Sequence, residues 1–412
     1  MKKVKMMKKY AELIATLGIG ANPKQDVVIK APVEAYQFVR YLSLALYNNK
    51  ARMVTIDWTD GVCTKQKIMH GSVSKLEQVP EWIINKEESR TERNVSKIVL
   101  EGEDPAIFKS VNSRKLSCYN RARVEALHHT KKPYYVNDLA WCVAAVPTKA
   151  WAKRIFPELS PTQALQSLWE AIYEACYVKE DENAIDNWNK HIAELDKHAQ
   201  IMNKYQFKEL RYTNSLGTNL TVGLVENHIW GSARGIQGFN GRYFVPNLPT
   251  EEIFSMPHRL KTSGKVFASR PLSYGGVLIE NFWIEFKNGE VVDFDAEVGK
   301  EKLEEIINFD STSRYLGEVA LVPYDSPISN QHIIYQSTLF DENASCHLAL
   351  GACYRENLKD EKKYSDEEMN DLGGNTSKMH CDFMIGTKDL VIDGITKDGE
   401  TIAVFKKGNF VF

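Results

Sequence analysis

Two short clusters in the last third of the chain combine side chains that bind divalent metal ions. The first is Glu342-Asn343-Ala344-Ser345-Cys346-His347, with Tyr354 seven residues further on, and the second is His380-Cys381-Asp382. Two acidic anchors lie upstream, in Pro249-Thr250-Glu251-Glu252 and Gly317-Glu318-Val319. Carboxylates and imidazoles, without a cysteine cluster of zinc-finger spacing, suit one or two divalent cations held for hydrolysis. Metal-assisted cleavage of a peptide is the chemistry this set points to.

The local patterns say how such residues could converge. His380, Asp382 and Met384 alternate with Cys381, Phe383 and Ile385. On a strand, a period of two sends the first set to one face and the apolar set to the other. The bland alternative is a pair of polar residues on an edge strand. His347 and Tyr354 are separated by Leu348-Ala349-Leu350-Gly351-Ala352-Cys353. Read as a helix, two turns would bring them onto one face, about 10 Å apart along the axis. The small residues between would leave room for a substrate or another segment, and Glu342 would fall in the lead-in loop or first turn. A lone histidine on an apolar run is otherwise a hydrogen-bonded core residue. Glu251 and Glu252 after Thr250 could equally mark a helix start. Glu318 lies inside the apolar strand pattern Leu316–Leu321, where a carboxylate is expensive to bury unless it is paired or metal-bound.

The elements that must carry these residues fall into two textures. The first half alternates strand and helix: strands at 26–31, 52–58, 98–101 and 141–146, a helix over 32–49, and a long helical stretch from Pro105 towards His129. That alternation predicts a parallel α/β sheet. Residues 160–203 read as mainly helical, with a charged loop at 179–183. From about Phe207 strands and turns dominate. Asn288-Gly289 and Asp398-Gly399 each sit between two apolar runs, the signature of a type I′ hairpin. The expected organisation is an N-terminal α/β domain over 1–205 and a C-terminal mixed α+β domain over 206–412 that carries the metal ligands. Near the start, Tyr10, Leu13, Ile14 and Leu17 fall at helical spacing, which, with Glu12 inside the run, argues against a signal peptide.

The 412 residues carry 52 basic against 54 acidic side chains, a net charge of −2, so no global field attracts nucleic acid or an anionic membrane. A peptide or other small substrate fits that balance. Seven scattered cysteines, an odd count without C-x-x-C pairing, argue for a reducing compartment, and a cytoplasmic location is expected. Cys346, Cys353 and Cys381 crowd the ligand clusters and read as small buried neighbours of the ligands. No stretch reaches the roughly 18 apolar residues of a membrane span, and no G-x-G-x-x-G or P-loop supports a nucleotide role.

Taken in order, Asn247–Glu252, Leu316–Val322, Leu339–Ser345, His347–Gly351 and His380–Gly386 resemble the thermophilic aminopeptidase family of metallopeptidases, the aminopeptidase T and aminopeptidase S group. The likeness reaches back to Val27–Ala35, is weak through about 60–200, and is strong from 217 onward. It implies a two-metal aminopeptidase, with a C-terminal metallopeptidase domain, peptide substrates and a homodimeric assembly. Carried over by motif, Glu252, Glu318, His347, His380 and Asp382 ligate the ions, with Glu318 bridging, and Glu342 is a further ligand or an outer partner. Tyr354 matches the family's catalytic tyrosine, suited to donate to a tetrahedral oxyanion. One acidic group must move a proton from water to the leaving amine; Glu251 is a candidate, as is a ligating glutamate. Zinc is the expected metal, with cobalt, manganese and magnesium compatible with the same donors. Two departures, Asn219 where relatives carry Asp and the variable Cys381, touch no proposed ligand. A metal-dependent amidohydrolase or dipeptidase on another small amide, or a non-catalytic metal-stabilised peptide binder, would use the same ligands.

Overall fold

The structure, a computed structural model, describes residues 2–238 and 240–412. Two compact units divide the chain, one comprising Met1–Asn189 and Arg234–Pro249, the other Lys190–Ala233 and Thr250–Phe412.

The first unit is built on a five-stranded sheet. In spatial order its strands are Met53–Thr59, Asp26–Pro32, Ser96–Glu101, Trp141–Ala145 and the two-residue Asn247–Leu248, and every pairing is parallel. Parallel neighbours need crossovers, and helices Tyr36–Asn48, Glu81–Glu92 and Ser113–Tyr135 supply them. The central strands are apolar on both faces: Val27, Val28, Ile29, Ile98, Leu100, Cys142 and Ala144 are all buried. Helix Lys2–Leu13 buries Tyr10, whose ring lies 5.3 Å from that of Phe38. Phe38 in turn meets Trp169 at 5.7 Å. The α/β reading of this half therefore holds, with helix Glu81–Glu92 and strand Asn247–Leu248 added and the long helix starting at Ser113 rather than near Pro105. The charged stretch 179–183 is a loop, and Lys9 fastens it by donating to the carbonyls of Lys179 (2.8 Å), Glu180 and Glu182 (2.7 Å).

The second unit is mainly antiparallel sheet. Nine strands form one sheet around the core strands Glu209–Thr213, Asn219–Leu224, Pro257–Phe267 and Val277–Lys287. A separate four-stranded sheet runs Ile253–Ser255, Leu316–Leu321, His347–Gly351, His380–Met384 in spatial order, antiparallel throughout. One expectation fails here. His347–Gly351 is a strand and not the start of a helix, because all five residues are buried and pair on both sides within the sheet. Leu, Ala and Gly without polar alternation give no period that separates a helix from a strand walled in on both faces.

Both hairpins exist, but their turns differ. Asn288 and Gly289 have φ of 52° and 84° and are closed by the pair Lys287↔Glu290, a two-residue loop with both central residues left-handed, as type I′ requires. Between Ile395 and Thr401 the loop is five residues long. Only Gly399, at φ 84°, is left-handed there, so Asp398-Gly399 does not form a type I′ turn. The two glycines also meet different surroundings: a Cβ on Gly289 would sit 1.7 Å from the Arg259 carbonyl oxygen, and one on Gly399 would meet nothing within 4 Å. Gly399→Ala should cost about 1–2 kcal/mol from the left-handed backbone alone. Gly289→Ala should cost more than that, because the Arg259 backbone must also shift. Denaturant unfolding of the two variants checks the ranking; equal losses would mean the Arg259 contact yields freely.

Candidate metal centre

The four-stranded sheet gathers the ligand clusters on one face. Across the strands, Ala320 pairs with His347, Glu318 with Ala349, Ala349 with Asp382, and Gly351 with His380. Glu318, His347, His380 and Asp382 thus project to one side, and the middle strand places Ala349 and Gly351 among them. These small residues leave the volume that the larger side chains fill. The small residues Ala349 and Gly351 between His347 and Tyr354 thus lie on a strand and not on the helix expected. The opposite face carries Val319, Leu348, Leu350, Cys381 and Phe383, all buried. Period-two alternation in His380–Met384 is as the sequence predicts.

Glu252 immediately precedes strand Ile253–Ser255. Since Ile253 pairs with Leu321, the position before it faces the side on which Glu318 and Ala320 lie. No helix begins at Thr250. Glu342 sits in a single 3-10 turn, Glu342–Ala344, ahead of the middle strand. Tyr354 follows that strand, with its ring 5.0 Å from the His380 ring and edge-on to Phe254 at 5.7 Å.

Two sets of donors converge closely enough for single ions. Glu252, Glu318 and His347 offer one donor atom each within 4.8 Å of one another, and so do Glu318, His380 and Asp382. Glu318 belongs to both. His347 Nε2 lies 3.0 Å from Glu252 Oε2 and 3.9 Å from Glu318 Oε1. His380 Nε2 lies 3.2 Å from Glu318 Oε2 and 3.1 Å from Asp382 Oδ1. Glu342 and Glu251 fall in neither set. Glu251 is 3% exposed and its Oε2 lies 3.7 Å from His191 Nε2.

Each imidazole is oriented from behind. His347 Nδ1 is 3.1 Å from the Ser345 carbonyl and His380 Nδ1 is 2.7 Å from the Ala352 carbonyl. A carbonyl only accepts, so Nδ1 carries the proton in both rings and Nε2 is left to coordinate. Residues between Glu342 and His347 hold this geometry. Ser345 Oγ accepts the Gly386 N–H at 2.8 Å, and Cys346 Sγ donates to the Val322 carbonyl at 3.2 Å. Ahead of His380, Asp310 accepts from the Lys378 N–H and the Ser377 hydroxyl, at 2.8 and 2.7 Å. Cys353 Sγ accepts the Asn375 N–H, and Cys381 faces the apolar side, so the three nearby cysteines are neighbours and not members of either donor set. Burial pushes the Cys346 thiol up to about 12, far from a thiolate at neutral pH.

The electrostatics of the cluster call for a cation. Burial, and then the charges of Asp382 and Glu252, hold the Glu342 carboxyl well above its usual range. Glu318 is raised by burial against the opposing pull of His380. Burial alone would lower His347, but contact with Glu252 and the charges of Glu252, Asp382 and Glu318 outweigh it and raise it to about 10. His380 is lifted in the same way by Asp382 and Glu318. Asp382 goes the other way, because His380 outweighs its burial. Glu252 Oε2 is buried and makes no hydrogen bond, despite its approach to His347. Protons stand in for positive charge throughout, and a buried carboxylate oxygen is left over. Mixed carboxylate and imidazole donors with that deficit fit divalent cations.

The comparisons with known proteins point the same way. The thermophilic metalloprotease family (M29) matches residues 3–410. Aminopeptidase AmpS of Bacillus subtilis (strain 168) is 38% identical over 403 residues, 98% of each chain. Aminopeptidase 2 of Geobacillus stearothermophilus is 37% identical over 409 residues, covering 99% of this chain and 98% of its own. The structure of wild-type AmpT from Thermus thermophilus matches with a TM-score of 0.92 at 32% identity, covering 100% of both chains. The chain belongs to the thermophilic metalloprotease family and is a metal-dependent peptidase.

Proposed function

We propose that this metallopeptidase is an aminopeptidase that releases N-terminal amino acids from peptides, using two divalent ions. The observation that carries the reading is the pair of donor sets sharing Glu318 on one buried sheet face; relatives of the same length bear aminopeptidase names. Glu252, Glu318 and His347 would hold one ion, Glu318, His380 and Asp382 would hold the other, and Glu342 would complete the ligation. Ions there would supply Lewis acidity to the scissile carbonyl and to the attacking water.

The chain's own residues do the rest. Tyr354 keeps its hydroxyl proton, because burial and then the charges of Glu318 and Asp382 push it well above the usual phenol value. It donates a hydrogen bond to the oxygen that develops negative charge. Glu251, buried and close to His191, is our candidate for carrying the proton from water to the leaving amine, with Glu342 as its competitor. We take zinc as the first ion to test, with cobalt, manganese and magnesium served by the same donors. The family resemblance supports a homodimer, and seven free cysteines fit the cytoplasm. Among the described residues no helix is long and apolar enough to cross a membrane. The metal chemistry belongs to the C-terminal portion, from 206 onward.

Four outcomes are expected. Metal-stripped protein should not cleave aminoacyl anilides, and adding zinc, cobalt, manganese or magnesium should restore turnover. His380→Ala should stay inactive with every ion, and acetylating the substrate's amino group should abolish cleavage. Tight binding of metal without turnover of any anilide would refute the aminopeptidase reading. Tyr354→Phe should keep both ions and lose about 10²–10³ in kcat, as removal of one oxyanion donor does. Glu251→Gln should lower kcat by about 10²–10⁴ with metal content intact, and Glu342→Gln should lose metal affinity as well. A Glu251→Gln enzyme of undiminished kcat would transfer the proton role to Glu342. Finally, metal binding at pH 7 should release protons, since His347 titrates near 10 without metal. The sign follows: a raised imidazole stabilises the metal-free fold below about pH 6.5 and loses that stability as pH rises towards 10, while apparent metal affinity rises with pH. Calorimetric titrations in buffers of different ionisation enthalpy count those protons, and a count of zero would contradict this account.

A further inference from the structure

The segment Thr250–Glu252 has the weakest scaffold of any part of the centre. It supplies one donor, Glu252, and the proton carrier Glu251, yet it lies in no helix or strand. Glu318, His347, His380 and Asp382 are held by strand registers. The Thr250–Glu252 backbone is instead gripped by two side chains from elsewhere. Asn343, wholly buried, accepts the Glu251 N–H on its Oδ1 at 2.7 Å. Its Nδ2 donates to the Leu339 carbonyl at 2.9 Å and reaches Glu342 Oε1 at 3.4 Å. On the other side His191, in helix Ala184–Tyr205, has its Nε2 2.8 Å from the Thr250 carbonyl, which can only accept.

We propose that Asn343 and His191 are positioning residues that set Glu252 against His347 and Glu318, and so control one of the two ion sites and not the other. The inference rests on the two-ion reading above. Its physical basis is an asymmetry. The Glu318–His380–Asp382 set draws every donor from paired strands and none from the gripped segment. The Glu252–Glu318–His347 set needs the segment to hold a carboxylate in place with no ladder beneath it. Asn343 also ties the backbone of Glu251 to the turn that carries Glu342, so two acidic segments move as one. Loss of either grip frees Glu252 to turn towards water and leaves the second set as it was.

The test is a titration of the metal-stripped full chain with Zn²⁺ at fixed pH, counting ions bound and their separate affinities. The parent should bind two ions. Asn343→Ala and His191→Leu should each weaken one ion by about 10–100-fold, the range seen when groups supporting metal ligands are removed, and leave the other within about twofold. His191→Gln, whose amide can still donate to the Thr250 carbonyl, should recover most of the lost affinity. Thermal unfolding of the metal-free variants, read alongside, separates a local effect from a global one. If Asn343→Ala does not fold, the two His191 variants decide the matter. Parallel weakening of both ions, or no change in either, overturns the inference while the two-ion reading stands. A parent that binds fewer than two ions overturns both.

Discussion

The structure of the second unit depends on one constraint: Glu318, His347, His380 and Asp382 on one buried sheet face, with Glu252 and Glu342 from the segments beside it, bring four carboxylates and two imidazoles together, and their charge must be balanced there. Isolated, each buried carboxylate would cost several kcal/mol. Together, each imidazole sits between two acids, His347 at 3.0 and 3.9 Å and His380 at 3.1 and 3.2 Å, and what they do not balance is left for cations. The reverse face of the sheet has no polar residue among Val319, Leu348, Leu350, Cys381 and Phe383, so the charged side chains have one direction in which to point. Shape follows from the same demand. Gly351, at φ 96°, could not carry a Cβ, which would lie 2.0 Å from the Met379 carbonyl oxygen just ahead of His380.

The run from Glu342 to His347 shows how densely a short segment can be committed. Five of its six residues have a separate task. Glu342 and His347 face the acids; Asn343 holds the Glu251 backbone; the Ser345 carbonyl fixes the His347 tautomer; Cys346 pins the segment to Val322. Substitutions at Asn343, Ser345 and Cys346 would each disturb the segment for a different reason, and His347 is only as well placed as these residues hold it.

How much of this the sequence discloses depends on whether a residue's task leaves a local trace. Glu318 is conspicuous, because a carboxylate inside Leu316–Leu321 contradicts its surroundings. His380 and Asp382 are conspicuous because polar and apolar residues alternate around them. The β character of His347–Gly351 leaves no trace: a strand buried on both faces has no alternation, and its small residues imitate a helix. Asn343 and His191 are invisible for another reason. Their partners are backbone groups 92 and 59 residues away, and nothing in the neighbouring sequence marks them. In the first unit four strands and two of the crossover helices are legible from periodicity, while Glu81–Glu92 buries no residue and shows no apolar stripe. The fifth strand is not legible either, since Asn247–Leu248 is two residues long and arrives from beyond position 205 to pair with Trp141–Ala145.

The same electrostatic field decides what Tyr354 can do. Without cations, burial and the surrounding carboxylates both favour the neutral phenol. Cations in the two donor sets would cancel the contribution of the carboxylates, and the hydroxyl would become more acidic. Burial, the largest of the influences, would remain and would still disfavour the phenolate. At neutral pH the group therefore keeps its proton whether or not the centre is loaded, and on the proposed reading it would enter the reaction as a donor and not as a base. That assignment leaves the proton of the attacking water to a carboxylate. On the proposed reading that carboxylate would be one outside the donor sets, such as the buried Glu251, since a carboxylate engaged by a cation is a weaker base than one that is not.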